Sequence, residues 1–323
     1  MSRASIDPFT PPVPEIRLRV PSTDGTQLNV EVHGPTGAPT VVLIHGWTCN
    51  IAFWAPVIRA LRTGAPDLRV VAYDQRGHGA SEAPGKDRYS VPILVEDLTA
   101  VLDATLEPGE RAVLVGHSMG GMTIMAAAAD ESILARTAGA VLCSTGYRNL
   151  PGSSTVVPGL KRLPKLNRAA HRYLLRSAMP LGPATPISRA MLKHTALGPK
   201  SDKHLQNVNA RIILACRPKP RAAWGAVLTE LDVFEQLGEL DVPTSVVFGS
   251  KDRLTPPDAH AQAIAAALPR FEGLTTVTGL GHMTPMEAPD VVVSLIRKHV
   301  QPLLDTLDES VDVPTEATKG SAL

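Results

Sequence analysis

Cysteine is scarce. The three residues, Cys49, Cys143 and Cys216, are too few and too widely spaced for a disulfide framework or a metal site. No apolar run reaches the roughly 18 residues of a membrane-spanning helix. The opening residues, Met1-Ser-Arg-Ala-Ser-Ile-Asp7, lack the apolar segment of a secretion signal. There is no surplus of charge: 32 Lys/Arg against 31 Asp/Glu leave a formal +1, which gives no overall drive towards nucleic acid. No zinc-finger or RNP-like motif and no internal repeat is visible. These absences lead us to expect a soluble protein of a reducing, cytoplasmic compartment with no nucleic-acid partner. Apolar residues, by contrast, make up 44% of 323, enough for one large α/β domain with an insertion or for two small domains.

The most informative stretch is Val113 to Met122. An apolar run, Ala112 to Val115, reads as a buried strand. It breaks into Gly116-His117-Ser118-Met119-Gly120, and an Ala-rich helical pattern follows. Strand, Gly-x-Ser-x-Gly, helix is the pattern that pushes a serine out at the carboxyl end of a strand. The turn leaves no room for side chains at 116 and 120, and the amides at the helix start point at whatever Ser118 attacks.

The rest of the chain supplies a frame for that stretch. Residues 1–14 read as an extended arm ending in Pro11-Pro12-Val13-Pro14. Glu15 to Val20 and Gln27 to Val32 read as a hairpin. Thr40–Ile44, Leu68–Tyr73, 112–115, Gly139–Cys143 and 243–249 read as buried strands, with helical spacing between them over Ile51–Leu61 and Val91–Leu106. Such alternation predicts βαβ units and a parallel sheet. The pattern stops at Gly146. Residues 147–237 are punctuated by prolines and carry only short helix-like stretches, such as Leu166–Arg176 and Ile187–His194, so a helical cap inserted between two strands is predicted. The core is expected to comprise 15–146 and 238–304, with an acidic, disordered tail over 305–323.

A serine hydroxyl is a poor nucleophile and needs a base within hydrogen-bond reach. Histidine suits that task, and a carboxylate on its far ring nitrogen fixes the tautomer. The chain offers Ser118, Asp252 and His282 in that order, each after a strand, so each is expected at one edge of the sheet. Asp252 also fits a simple turn or cap role. An anionic intermediate needs two donors, for which the backbone amides of Met119 and Trp47 are placed. Trp47 could equally be an apolar wall. His117 and His78 read as structural, and His45 as ordering the loop after it. Asp74 and Arg76 read as a salt bridge bracing two loops, and Cys49 and Cys143 as small buried hydrophobes.

With Gly116-His-Ser-Met-Gly120, His45-Gly46-Trp47, Asp74-Gln-Arg-Gly-His-Gly79, Asp252 and Gly281-His282 in order, the chain resembles the α/β-hydrolase superfamily over about residues 15 to 304. The resemblance implies an eight-stranded, mostly parallel sheet with helices on both faces and a lid at 147–237. It also implies Ser-Asp-His acyl transfer without metal or organic cofactor. Epoxide hydrolases and haloalkane dehalogenases of the superfamily carry aspartate where this chain has Ser118. The cofactor-free haloperoxidases and perhydrolases usually have proline after the aromatic residue of the oxyanion loop, where this chain has Thr48. The expected activity is therefore esterase- or lipase-like cleavage of a small carboxylic ester with an apolar acyl group. Thioester or carbon–carbon hydrolysis, perhydrolysis and a non-enzymatic receptor stand as alternatives.

Charge is segregated within the chain. From Tyr147 to Thr229 there are fifteen Lys/Arg and one acid, Asp202. Leu160, Leu163, Leu166, Tyr173, Leu174 and Leu175 interleave with basic positions that include Lys161 and Arg162. A solvated lid whose apolar face covers the pocket is one reading. Peripheral contact with an anionic membrane surface or an acidic carrier is the other.

Overall fold

The structure, a computed structural model, describes residues 7–157, 159 and 162–311, and the side chains of these up to 306. Leu160, Lys161, the first residues of the expected arm and the tail from 312 lie outside it. Eight strands form one sheet in the order β1-β2-β4-β3-β5-β6-β7-β8. β1 (Ile16–Pro21) and β2 (Gln27–His33) form the hairpin, and β2 runs antiparallel to β4 (Arg69–Asp74). β3 (Thr40–Ile44), β5 (Ala112–His117), β6 (Thr137–Cys143), β7 (Thr244–Gly249) and β8 (Phe271–Val277) continue from β4 in parallel.

Strands β3, β4, β5 and β7 are buried at every position because helices cover both faces. Alternate residues serve opposite layers. Val42, Ile44 and Leu114 pack with α2 (Val91–Thr105) and α3 (Met119–Ala127). Val41, Leu43 and Val113 pack with α1 (Ala55–Gly64) and α13 (Pro289–Val311). Each such aliphatic side chain contributes about 1.5–3 kcal/mol of burial. Ser90 caps α2 by accepting from the Ile93 amide. Helix α13 continues past Asp305, where the sequence predicts the start of a disordered tail, so residues 305–311 are helical instead. Seven-residue extension of a helix whose apolar face is already anchored needs only continued backbone hydrogen bonding.

Between β6 and β7 the chain runs through α5 (Leu150–Ser153), α6 (Pro164–Arg176), α7 (Pro186–Ala196), α8 (Lys203–Leu214), α9 (Pro218–Glu230) and α10 (Phe234–Leu237). Its two ends meet where Arg148 bridges Asp232 and the Val233 amide donates to Tyr147 O at 2.9 Å. Helices α4 (Glu131–Ala135), α11 (Pro257–Ala267) and α12 (Thr284–Glu287) complete the chain. Among the described residues no helix is long and apolar enough to cross a membrane.

Candidate active site

Three non-glycine residues with positive φ stand at the carboxyl ends of neighbouring strands: Thr48 (65°) beyond β3, Ser118 (51°) after β5 and Ser144 (42°) after β6. Each such conformation costs about 1–3 kcal/mol and persists only where surroundings impose it. At Ser118 the cause is visible. A Cβ on Gly116 would lie 2.5 Å from the Gly120 backbone, and one on Gly120 would collide with Ile44 O. Only glycine at both positions lets β5 turn directly into α3. Ser118 is thereby left partly exposed at the tip, while its neighbours are buried.

Asp252 lies in the turn after β7. Its Oδ1 accepts from the amides of Leu254 (2.9 Å) and Thr255 (3.0 Å), so the turn role holds. Its Oδ2 accepts from His282 Nδ1 at 2.8 Å and from the Thr255 hydroxyl at 2.9 Å. One carboxylate therefore both closes its own loop and fixes the imidazole tautomer, with the proton on Nδ1 and the lone pair on Nε2. Both residues are buried. No hydrogen bond joins Ser118 Oγ to His282. Such contacts are often long before substrate arrives.

His282 is held from two further directions. His117 donates from Nε2 to the His282 carbonyl (2.9 Å), and the His282 amide donates to Ala196 O (2.8 Å) at the end of α7. Glu287 accepts from the amides of Gly281 (2.9 Å) and Gly198 (2.7 Å), joining the same two segments. Burial pushes the Glu287 carboxyl up to about 7 despite those bonds.

On the other side of Ser118 the loop after β3 carries Trp47. Its amide and that of Met119 donate to no protein acceptor among the described residues. The Trp47 indole N–H donates to Arg221 O at 2.9 Å, so the side chain ties this loop to α9. His45 Nδ1 donates to Gly46 O (2.8 Å) and its Nε2 accepts from the Gln75 amide (3.0 Å). His78 Nε2 accepts from the Thr48 amide (3.2 Å). Burial lowers the pKa of His45 to about 3 and of His78 to about 4, and puts His117 well below the usual range. These three rings are neutral struts.

Asp74 and Arg76 do not pair, against the sequence expectation. Asp74 accepts from the amides of Ile51 (2.8 Å) and Ala80 (2.9 Å), while Arg76 reaches Asp97 (2.6 Å) and Asp24 (2.9 Å). The tight turn sends the two side chains in different directions, and each braces its own set of loops. Burial raises the thiol pKa of Cys49 and Cys143, which makes them poor nucleophiles.

Several supporting residues escape a reading of the sequence. Thr255 has a local signal, three residues after Asp252 in a turn. Gln75 lies in the Asp-Gln-Arg-Gly-His-Gly run, and its side chain links His45 O to Thr123. Glu287 has no signal at all, because one of its partners is 89 residues away.

Residues 41–295 match the model of the alpha/beta hydrolase family. The chain belongs to that family. This α/β hydrolase is 32% identical over 235 residues to a Variovorax paradoxus protein named for carbamate hydrolysis, covering 71% of this chain and 80% of that one. It is 25% identical over 291 residues to 3-oxoadipate enol-lactonase 1 of Acinetobacter baylyi, with 88% and 97% covered. Among solved structures, a thermophilic esterase from Thermogutta terrifontis superposes with a TM-score of 0.69 at 26% identity, over 89% of this chain and 98% of that one.

Proposed function

We propose that this α/β hydrolase cleaves carboxylic esters through an acyl-serine intermediate. Ser118 Oγ attacks the acyl carbonyl while His282 Nε2 takes its proton. The proton then goes to the departing alkoxide, which leaves as the alcohol. Water attacks the acyl-enzyme by the same route in reverse and releases the acid. Asp252 orients His282 and stabilises its charged form. The amides of Trp47 and Met119 bind the oxyanion, aided by the N-terminal end of α3.

The observation that carries this reading is the 2.8 Å Asp252–His282 pair at the same sheet edge as a serine held in a strained, partly exposed turn. The names of the relatives support it, since an enol-lactone is an internal ester and the Thermogutta protein is described as an esterase. A perhydrolase-like reading is disfavoured by the loop after Trp47. Thr48 has φ of 65°, whereas a proline there would be locked near −65°.

The test is labelling with a fluorophosphonate, followed by rates on p-nitrophenyl esters of graded acyl length. We expect one labelled site, Ser118, and saturable turnover of at least one ester. Labelling that persists in Ser118→Ala would overturn the assignment. Labelling without turnover of any ester, with hydrolysis of a thioester or a vinylogous diketone instead, would move the chain to those reaction classes.

A further inference from the structure

The insertion has an outer face that none of the described residues covers. Among the described residues, eleven large apolar side chains are exposed, and eight of them fall between Leu163 and Met191. Leu166 and Tyr173, seven residues apart, share the solvent side of α6, whose opposite side buries Asn167 and His171. Met179 and Leu181 are exposed in the loop that follows. Ile187 and Met191, four apart, share the solvent side of α7 and are 74% and 65% exposed.

The same stretch is basic. No Asp or Glu occurs from Ser132 to Ser201, while Arg162, Lys165, Arg168, Arg176, Arg189 and Lys193 all lie within it. None of those six has a carboxylate within 4.0 Å among the described residues; Arg172, which lies among them, is paired to Glu230 at 2.6 Å.

We propose that this face, from Leu163 to Lys193, docks on an anionic lipid surface. Cationic side chains around aliphatic ones and one exposed tyrosine suit a bilayer, where phosphates meet the charges and the acyl boundary takes the apolar groups. A second copy of the chain fits worse, because a shared face would set one basic surface against another. An acidic protein satisfies the charges but leaves Ile187, Met191 and Met179 without a role. The face is also connected to the site. Helix α7 carries Ile187 near its start and ends at Ala196, whose carbonyl holds the His282 amide, and Arg253, next to Asp252, donates to His194 O at 2.8 Å. Docking on the solvent side of α7 is thus linked to the His282 loop through the inner side of the same helix.

The full chain is tested by flotation with vesicles of phosphatidylcholine alone and with about a third phosphatidylglycerol, at low and high salt. We expect at least about tenfold tighter partition to the anionic vesicles, falling towards the neutral level as salt screens the charges. Two variants divide the surface: R162E/K165E/R168E/R176E removes the charges, and I187D/M191D removes the apolar contacts. Circular dichroism and thermal unfolding verify that both are folded. Each should lose most of the anionic partition. Equal partition to both vesicle types, or an unchanged I187D/M191D, overturns the proposal. So does binding to an acidic acyl carrier protein without binding to vesicles, which would make the partner a protein. The assay reads partition alone, so its outcome is independent of the esterase reading.

Discussion

Strand β3 and helix α7 both carry large apolar residues, yet these end in opposite environments. Every residue of β3 is buried. In α7 only Ala196 is, and Ile187 and Met191 face solvent. The strand lies inside a parallel sheet, between α2/α3 and α1/α13, so each of its side chains meets a covered face. The helix has one partner face, towards α8 and the His282 loop, and its opposite side is left over. Apolar composition therefore reports burial only where the architecture supplies two layers. Where it supplies one, the same residues become a surface. The same division holds at the candidate site: the rigid layer positions Ser118, and the insertion meets that layer through Ala196 of α7, through Arg221 and Trp224 of α9, and through Thr155, whose amide donates to Arg253 O.

The comparison breaks most sharply on catalysis. Ser118→Ala should lower ester turnover by about 10⁶-fold and abolish fluorophosphonate labelling while leaving the fold intact, because it removes the proposed nucleophile and keeps the strained turn. Activity close to wild type would take the chemistry away from this sheet edge. Asp252→Asn comes next, with a loss of about 10⁴-fold in kcat from a misoriented imidazole. Because Asn keeps an acceptor for the Leu254 and Thr255 amides, unfolding by heat should change little. A variant that loses its fold instead would show that the turn role of Asp252 dominates.

Stability sharpens the contrast directly. Leu43→Ala in β3 should cost about 2–5 kcal/mol in denaturant unfolding, as cavity and lost transfer energy add. Met191→Ala on α7 should stay within about 0.5 kcal/mol, because its side chain packs on little. Similar costs at the two sites would mean that the outer face of α7 is covered after all.

The last test concerns the junction of the two regions. Burial raises the Glu287 carboxyl from 4.5 to about 7. In the unfolded chain the group ionises from about 4.5 upward, while the folded chain keeps the proton until about 7. The folded state therefore binds more protons in that window and loses stability as pH rises through it, with no further loss above. Glu287→Gln should flatten this part of the stability–pH curve, measured by urea unfolding at intervals between about pH 4 and about pH 8. An identical slope in the variant would assign the pH dependence to other groups.

Local physics made much of the protein legible without coordinates. A β-branched run between turn signals has few alternatives to a buried strand, and Gly-His-Ser-Met-Gly between a strand and a helix permits one sharp turn, which is what Gly116, Ser118 and Gly120 form. The hairpin, the parallel alternation and the proline-broken insertion follow from spacing of the same kind. Other features were decided only when distant segments met. His117 donating to the carbonyl of His282 spans 165 residues, and Glu287 joining Gly198 to Gly281 spans 89 in its longer bond. The partners of Asp74 and Arg76 were misread because adjacency in the chain says little about where side chains point after a tight turn. Whether Ile187 and Met191 are core or surface was likewise open, since helical periodicity shows that a face is apolar but not whether another layer lies over it.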